Sequence, residues 1–240
     1  MINPVSELRA FVTAALFSPV PRDHAQTDAA FRRRRVVAAA TLVVGGVLLF
    51  VSLRVPPGDP AFYAWTLALA AVWTVGAFAS GPLHLGHSWT RTGDIARPVV
   101  QSAALAALLV ALFLVGAVVV AGIPVLRGPV DGLLDHARFG SLPVVAIVTA
   151  VNGIGEELYF RGALFAAIGR RHAVAVSTVL YMLVTLASGV PLLVLAAGVL
   201  GVVTALQRRV TGGVLGPILV HVAWSMSMLF LLPPVLDTLR

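Results

Sequence analysis

Apolar residues run through this chain in blocks about as long as a bilayer is thick, separated by short polar stretches. A helix needs roughly 20 apolar residues to cross a hydrocarbon core of about 30 Å. On that measure the pattern predicts seven spans, at roughly 36–53, 61–80, 99–121, 142–166, 174–188, 191–207 and 214–232. The fifth is short and the sixth opens at Pro191. Between the third and fourth spans, Gly122, Pro124, Gly128, Pro129 and Gly132 read as a loop over 122–141. Ahead of the first span, Val5, Leu8, Phe11, Val12, Ala15 and Leu16 fall on one helical face after a plausible start at Asn3-Pro4. No charged region precedes an apolar one there, so a signal peptide is not expected. An amphipathic helix lying on the membrane surface is. The chain thus divides into a segment 1–35, a three-span region 36–141 and a four-span region 142–232.

Composition turns the pattern into a fold class. Of 240 residues, 59% are hydrophobic and 11% charged, against about 45–50% and 25% for a soluble domain. With a mean hydropathy of +0.96, the expected architecture is an all-α polytopic membrane bundle of about seven spans. Cysteine is absent, which removes disulfides, thiolate metal sites and a cysteine nucleophile. The net charge of +7 is carried by arginine alone. Arg9, Arg22, Arg32 to Arg35, Arg91, Arg97, Arg161, Arg170, Arg171, Arg208 and Arg209 fall on one side of the alternating spans. Only Arg54, Arg127, Arg138 and Arg240 fall on the other. The positive-inside rule then puts the N-terminus in the cytoplasm and the C-terminus outside a cell (inner) membrane. The Arg32–Arg35 run abuts a span, so the bilayer is its expected partner and nucleic acid is not.

Ionisable residues inside a span are costly and need a reason. Two of the three glutamates are adjacent, Glu156 and Glu157 in VNGIGEELYFRGALF, and His221 lies within the seventh span in GPILVHVAWSMSMLF. At about 1.5 Å per residue, Glu156 and His221 lie at a similar depth, on the order of 10 Å from the arginine-rich face. Neighbours on a helix point about 100° apart, so the two glutamates cannot face one cavity equally. Glu157 and Arg161, at i and i+4, suit an ion pair, which leaves Glu156 to face His221. A buried carboxylate opposite an imidazole is placed to activate water. A structural Glu–Arg–His network, or a proton site in a transporter, accounts for the same residues. Asn152, one turn before Glu156, suits either the site or a bridge between helices.

Glu156-Glu157-x-x-x-Arg161 in EELYFRGALF resembles the first motif, EExxxR, of the CAAX protease and bacteriocin-processing family (CPBP, or Abi). QRRVTGGVLGPILVHVAWS resembles its later stretch, and Gly198 and Gly201 stand where the family commonly has small residues. The resemblance covers about residues 142–232. It implies a glutamate-dependent intramembrane peptidase in which Glu156 is the base, Glu157 supports it, Arg161 orders the carboxylates and His221 stabilises the oxyanion. The family's FxxxH slot falls on Tyr181 to Thr185, so Thr185 stands where the family has histidine, and Ser225 stands where it has asparagine. A threonine hydroxyl can hydrogen-bond water but cannot share a proton as imidazole does. The family was once described as metalloproteases, yet His221 with carboxylates makes a poor zinc site, and no other cofactor is implied.

The resulting expectation is an endopeptidase that cuts a membrane-embedded or membrane-anchored peptide or protein. The alternatives are a catalytically silent relative acting as a binding scaffold or immunity factor, and a small transporter using Glu156. His84 and His87, near Trp89, are expected to be interfacial anchors, Asp131 and Asp135 with His136 solvated loop residues, and Gly45-Gly46 a packing face.

Overall fold

Within a bilayer every backbone polar group must be paired inside the chain, and apolar runs of this length satisfy that as helices. The computed structural model describes residues 3–238. Its helices are α1 (Pro4–Leu16), α2 (Asp28–Ser52), α3 (Ala61–Ser80), α4 (Val99–Ala121), α5 (Pro124–Arg138) and α6 (Leu142–Glu157). A π-helical segment (Leu158–Leu164) and α7 (Phe165–Ile168) continue α6. Then come α8 (Ala173–Thr185, extended by a 3-10 turn Leu186–Ser188), α9 (Pro191–Thr211) and α10 (Leu215–Thr238). A two-residue antiparallel ribbon, Ser88–Trp89 against Ile95–Ala96, is the strand structure among the described residues. Among the described residues six helices are long and apolar enough to span a membrane, and the fifth expected span is the shorter apolar helix Ala173–Ser188. That helix is about 24 Å long at 1.5 Å per residue, short of a hydrocarbon core.

The bundle pairs α2 with α3, α8 with α9 and α4 with α10, while α6 lies between α3 and α10. Trp73 of α3 is the hub of the larger core. Its ring stacks on Tyr159 with centroids 4.5 Å apart and meets Phe160 at 5.3 Å. Gly45 of α2 faces that indole so closely that an added Cβ falls 2.2 Å from the ring, whereas at Gly46 nothing lies within 4 Å. The packing face expected at Gly45-Gly46 is therefore one residue wide. At the other crossing, loop 81–88 runs over the α9–α10 turn: Val214 N–H donates to the His84 carbonyl at 2.8 Å and His87 N–H to that of Thr211 at 3.0 Å. A Cβ on Gly213 would fall 2.0 Å from the Leu85 backbone, so only glycine admits this approach.

The loop expected over 122–141 is instead a helix, α5. Pro124 occupies its first turn, where a missing N–H costs nothing. Val130 and Leu134 pack against Ala117 of α4 and Leu236 of α10. Tertiary burial outweighs the weak helix propensity of its glycines. Asp131 and Asp135, expected to be solvated, both contact Arg138, at 3.3 and 3.2 Å, and Arg138 also reaches Asp237 at 3.5 Å. The side chain of His136 lies outside the described ones.

Helix α1 forms as expected, with Asn3 capping the Val5 N–H at 3.0 Å. Its Ala15, Phe11 and Leu16 pack into the cluster of Leu105 and Leu109 of α4, Leu200 of α9 and Val220 of α10, while Val5 and Leu8 stay exposed. The helix is therefore docked on the bundle through the C-terminal part of its apolar face, and the N-terminal part of that face is exposed.

Overpacking a helix contact costs about 1–3 kcal/mol. Gly45→Ala should therefore lower the thermal unfolding temperature of the detergent-purified protein. Gly46→Ala, which meets no atom and favours helix, should leave it unchanged or slightly higher. Equal effects of the two would contradict this packing.

Candidate active site

Two glycines prepare the site before any charge appears. Gly153 and Gly155, two residues apart, face opposite sides of α6. A Cβ at Gly153 would lie 3.6 Å from His221 Cδ2 on α10, and one at Gly155 would lie 3.1 Å from the Ala70 carbonyl on α3. Both neighbouring helices thus come close to α6 within the turn that precedes the glutamates. Beyond Glu157 the backbone widens into the π-helical segment, where Phe165 N–H reaches back to the Phe160 carbonyl. Such turns occur mostly as single interruptions and often at functional sites.

The polar groups meet in a fixed order. Glu157 and Arg161 are fully buried. Glu157 Oε1 accepts from His221 Nδ1 at 2.8 Å and lies 3.2 Å from Arg161 Nη1. The Arg161 contact is electrostatic rather than a well-directed hydrogen bond, and its three nitrogens are sealed without a hydrogen-bond partner among the described residues. The guanidinium also sits over the Tyr181 ring, 4.8 Å from its centroid, a cation–π contact. Its own carbonyl accepts from Arg208 Nε at 2.7 Å. A Cβ on Gly201 would lie 3.3 Å from Arg161 Nη2, so this small residue of α9 makes room for the guanidinium.

Glu156 occupies a different environment. It lines a cavity of about 260 Å³ together with Asn152, Tyr181, Thr185, His221 and Ser225. Its Oε2 accepts from the Tyr181 hydroxyl at 2.6 Å and lies 4.0 Å from His221 Nε2. The simple partition expected between the glutamates is therefore corrected. Glu157 serves both Arg161 and His221, and Glu156 stands across from the free nitrogen of the same imidazole. The ring is long enough to present one nitrogen to each carboxylate. The two glutamates still do not face the cavity equally, since Glu157 lies behind its wall.

Five of the seven residues singled out from the sequence, Asn152, Glu156, Thr185, His221 and Ser225, line this one cavity, and Glu157 and Arg161 back it. Thr185 gives its hydroxyl to the Tyr181 carbonyl at 2.8 Å, one turn back in its own helix, and Asn152 Nδ2 likewise binds the Val148 carbonyl at 2.9 Å. Tyr181 was missed. It stood in the sequence as the aromatic position of a motif, with nothing to announce that its hydroxyl reaches α6. A second cavity, of about 450 Å³, shares Leu193, Ala196, Trp224 and Ser225 with the first and is almost wholly apolar.

A zinc ion does not fit this donor set. Catalytic zinc takes three protein ligands. Here His221 Nδ1 and Glu157 are committed to each other and to Arg161, which leaves Glu156 and His221 Nε2. No cluster of three or more such donors exists among the described residues.

Fold and site together define a polytopic helical membrane protein with a buried glutamate–histidine centre. Residues 138–227 match the family model described as Type II CAAX prenyl endopeptidase Rce1-like, so the resemblance read in EELYFRG is borne out over that stretch. No curated protein and no solved structure matches the chain.

Truncating one partner of a buried ion pair costs about 3–5 kcal/mol, because the other charge is left unpaired. Arg161→Met should accordingly reduce the yield and unfolding temperature of the detergent-solubilised protein sharply. Glu156→Gln, which keeps shape and polarity at the cavity wall, should leave both near wild type.

Proposed function

We propose that the protein is an intramembrane endopeptidase in which Glu156 activates a water for attack on a peptide bond. The observation that carries this reading is the 4.0 Å gap between Glu156 Oε2 and His221 Nε2 in the wall of one cavity. A water about 2.8 Å from each group spans such a gap. Glu156 takes a proton from that water as its oxygen bonds to the substrate carbonyl carbon. A carboxylate can only accept, so Glu157 holds the Nδ1–H of His221, and Arg161 offsets the charge of Glu157. His221, carrying both ring protons before and after the step, donates Nε2–H to the developing oxyanion, and Ser225 Oγ supplies a weaker second donor. Glu156 returns its proton to the leaving amine as the C–N bond breaks. Tyr181 positions Glu156 by holding Oε2.

The substrate in this reading is a peptide or protein embedded in, or anchored to, the membrane, with its apolar part against the bilayer or the adjoining apolar cavity. The arginine distribution supports an N-terminus in the cytoplasm and a C-terminus outside an inner membrane. One observation favours a second reading, a catalytically silent binding or scaffold protein. Thr185 turns its hydroxyl to its own helix and so does not take the place of an acid–base partner.

Comparing new peptide termini in membranes of cells that express wild type, Glu156→Gln or neither separates the two readings. Loss of a general base costs about 10²–10⁴-fold in rate, so termini specific to the wild type should vanish in Glu156→Gln at matched expression. Identical termini in all three samples would favour the scaffold. Thr185→His, which places a second imidazole on the cavity wall, should raise cleavage. A folded variant with no gain would count against that position's having a part in the chemistry.

A further inference from the structure

At the arginine-rich end of the bundle two imidazoles lie face to face. His24, on the segment joining α1 to α2, stacks on His84, in the loop after α3, with centroids 3.6 Å apart and planes within 7°. The charges of Arg22 and Arg208 act on His24, and those of Arg34 and Arg208 on His84. Among the described residues Asp23 is the one carboxylate acting on His24, and Arg170 adds its charge beside Arg22. None of these residues lines the cavity that holds Glu156.

Two of these guanidiniums are nearly enclosed and have no anion to offset them among the described residues. Arg34 is 3% exposed and Arg208 7%, and neither makes an ion pair among the described residues. Arg34 gives Nε to Gln26 and Nη2 to the Pro82 carbonyl, and Arg208 gives only Nε, to the Arg161 carbonyl. Nη1 of Arg34 and both terminal nitrogens of Arg208 make no hydrogen bond among the described residues, yet they are not among the sealed polar atoms. Those donors therefore keep some accessible surface. Arg22, by contrast, is spent on the carbonyls of Val20, Arg209 and Val210. Enclosed cations are costly unless paired, and here like charges are gathered instead.

We propose that Arg34 and Arg208, together with His24 and His84, form a binding site for a phosphate group. Arginine forks match phosphate oxygens bidentately, and a tetrahedral oxyanion accepts from several elements at once. The donors come from α2, α9 and two connecting segments at helix ends, the level at which lipid headgroups lie. Free phosphate offers the same chemistry. Occupation would also fix Arg208, whose Nε holds the carbonyl of Arg161 on the π-helical segment that follows the glutamate pair.

Burial, then the charges of His84, Arg208 and Arg22, push the His24 imidazole down to about 4, and burial with the charges of Arg208 and Arg34 lowers His84. A lowered histidine value favours the fold above about 6.5 and loses that contribution as pH falls toward 4. A bound phosphate offsets the guanidiniums, so it should raise both imidazoles and lessen this acid sensitivity.

The test uses the full chain in maltoside micelles, which carry no phosphate. Inorganic phosphate is titrated in one arm and phosphatidylglycerol in the other, with chloride matching the ionic strength. Thermal unfolding at several pH values and NMR of 15N-labelled histidine side chains are the readouts, with His24→Gln and His84→Gln assigning the signals. Either source should raise the unfolding temperature and shift both imidazoles upward, and Arg208→Gln should weaken the response about tenfold or more. A response in both arms identifies a general phosphate site, and one confined to the lipid arm a headgroup site. A response that chloride reproduces, or that survives both Arg34→Gln and Arg208→Gln, overturns the proposal. If those variants do not fold, wild-type imidazoles that stay put with both phosphate sources overturn it equally.

Discussion

An arginine enclosed among membrane helices must be neutralised where it stands, because there is no water to do it. Arg161 imposes that requirement here, and its answer, Glu157, also binds His221. One carboxylate oxygen thereby ties the widened turn after α6 to α10, while the guanidinium rests on the ring of Tyr181 from α8 and uses the room left by Gly201 of α9. Four elements are thus held around a single charge. The arrangement is no bargain in stability, since buried ion pairs seldom outperform apolar packing. What it supplies is position, at a depth where a misplaced charge has no alternative partner.

That constraint makes two adjacent glutamates unlike. Glu157 is sealed and paired, and its bond to Nδ1 holds the His221 ring in one orientation. Glu156 shares a wall with open volume and keeps a contact, through Tyr181, that orients it without closing it off. The adjoining apolar cavity widens the space beside these groups. A polar centre at the edge of an apolar volume is the setting in which a hydrogen bond or a proton transfer is worth most, because water does not compete.

Much of this was legible beforehand, for identifiable reasons. Helical spans follow from apolar length alone, and the expense of a charge in a span made Glu156, Glu157, Arg161 and His221 conspicuous. The i, i+4 spacing of Glu157 and Arg161 spoke for their contact. What escaped notice depended on partners distant in the chain. Tyr181 is an ordinary aromatic until α8 lies against α6. The helix α5 looked like a loop because its glycines and prolines argue locally for a turn, whereas Val130 and Leu134 find Ala117 and Leu236 only after folding. His24 and His84, separated by the whole of α2 and α3, gave no sign of stacking.

By itself, the sequence determined the membrane class, the approximate spans, the family resemblance over the later helices and the residue types that could do chemistry. These are matters of length, composition and local spacing, which a chain carries before it folds. The tertiary structure decided which glutamate serves the histidine's Nδ1, which one faces open space, and that the turn bearing Tyr181 and Thr185 lies beside them. It also decided that arginines from α2 and α9 gather about two imidazoles. Such choices turn on differences of a few ångströms between side chains on separate helices. Those distances are set by how glycines let helices approach and by where a buried charge finds its counterpart, and neither can be read along the chain.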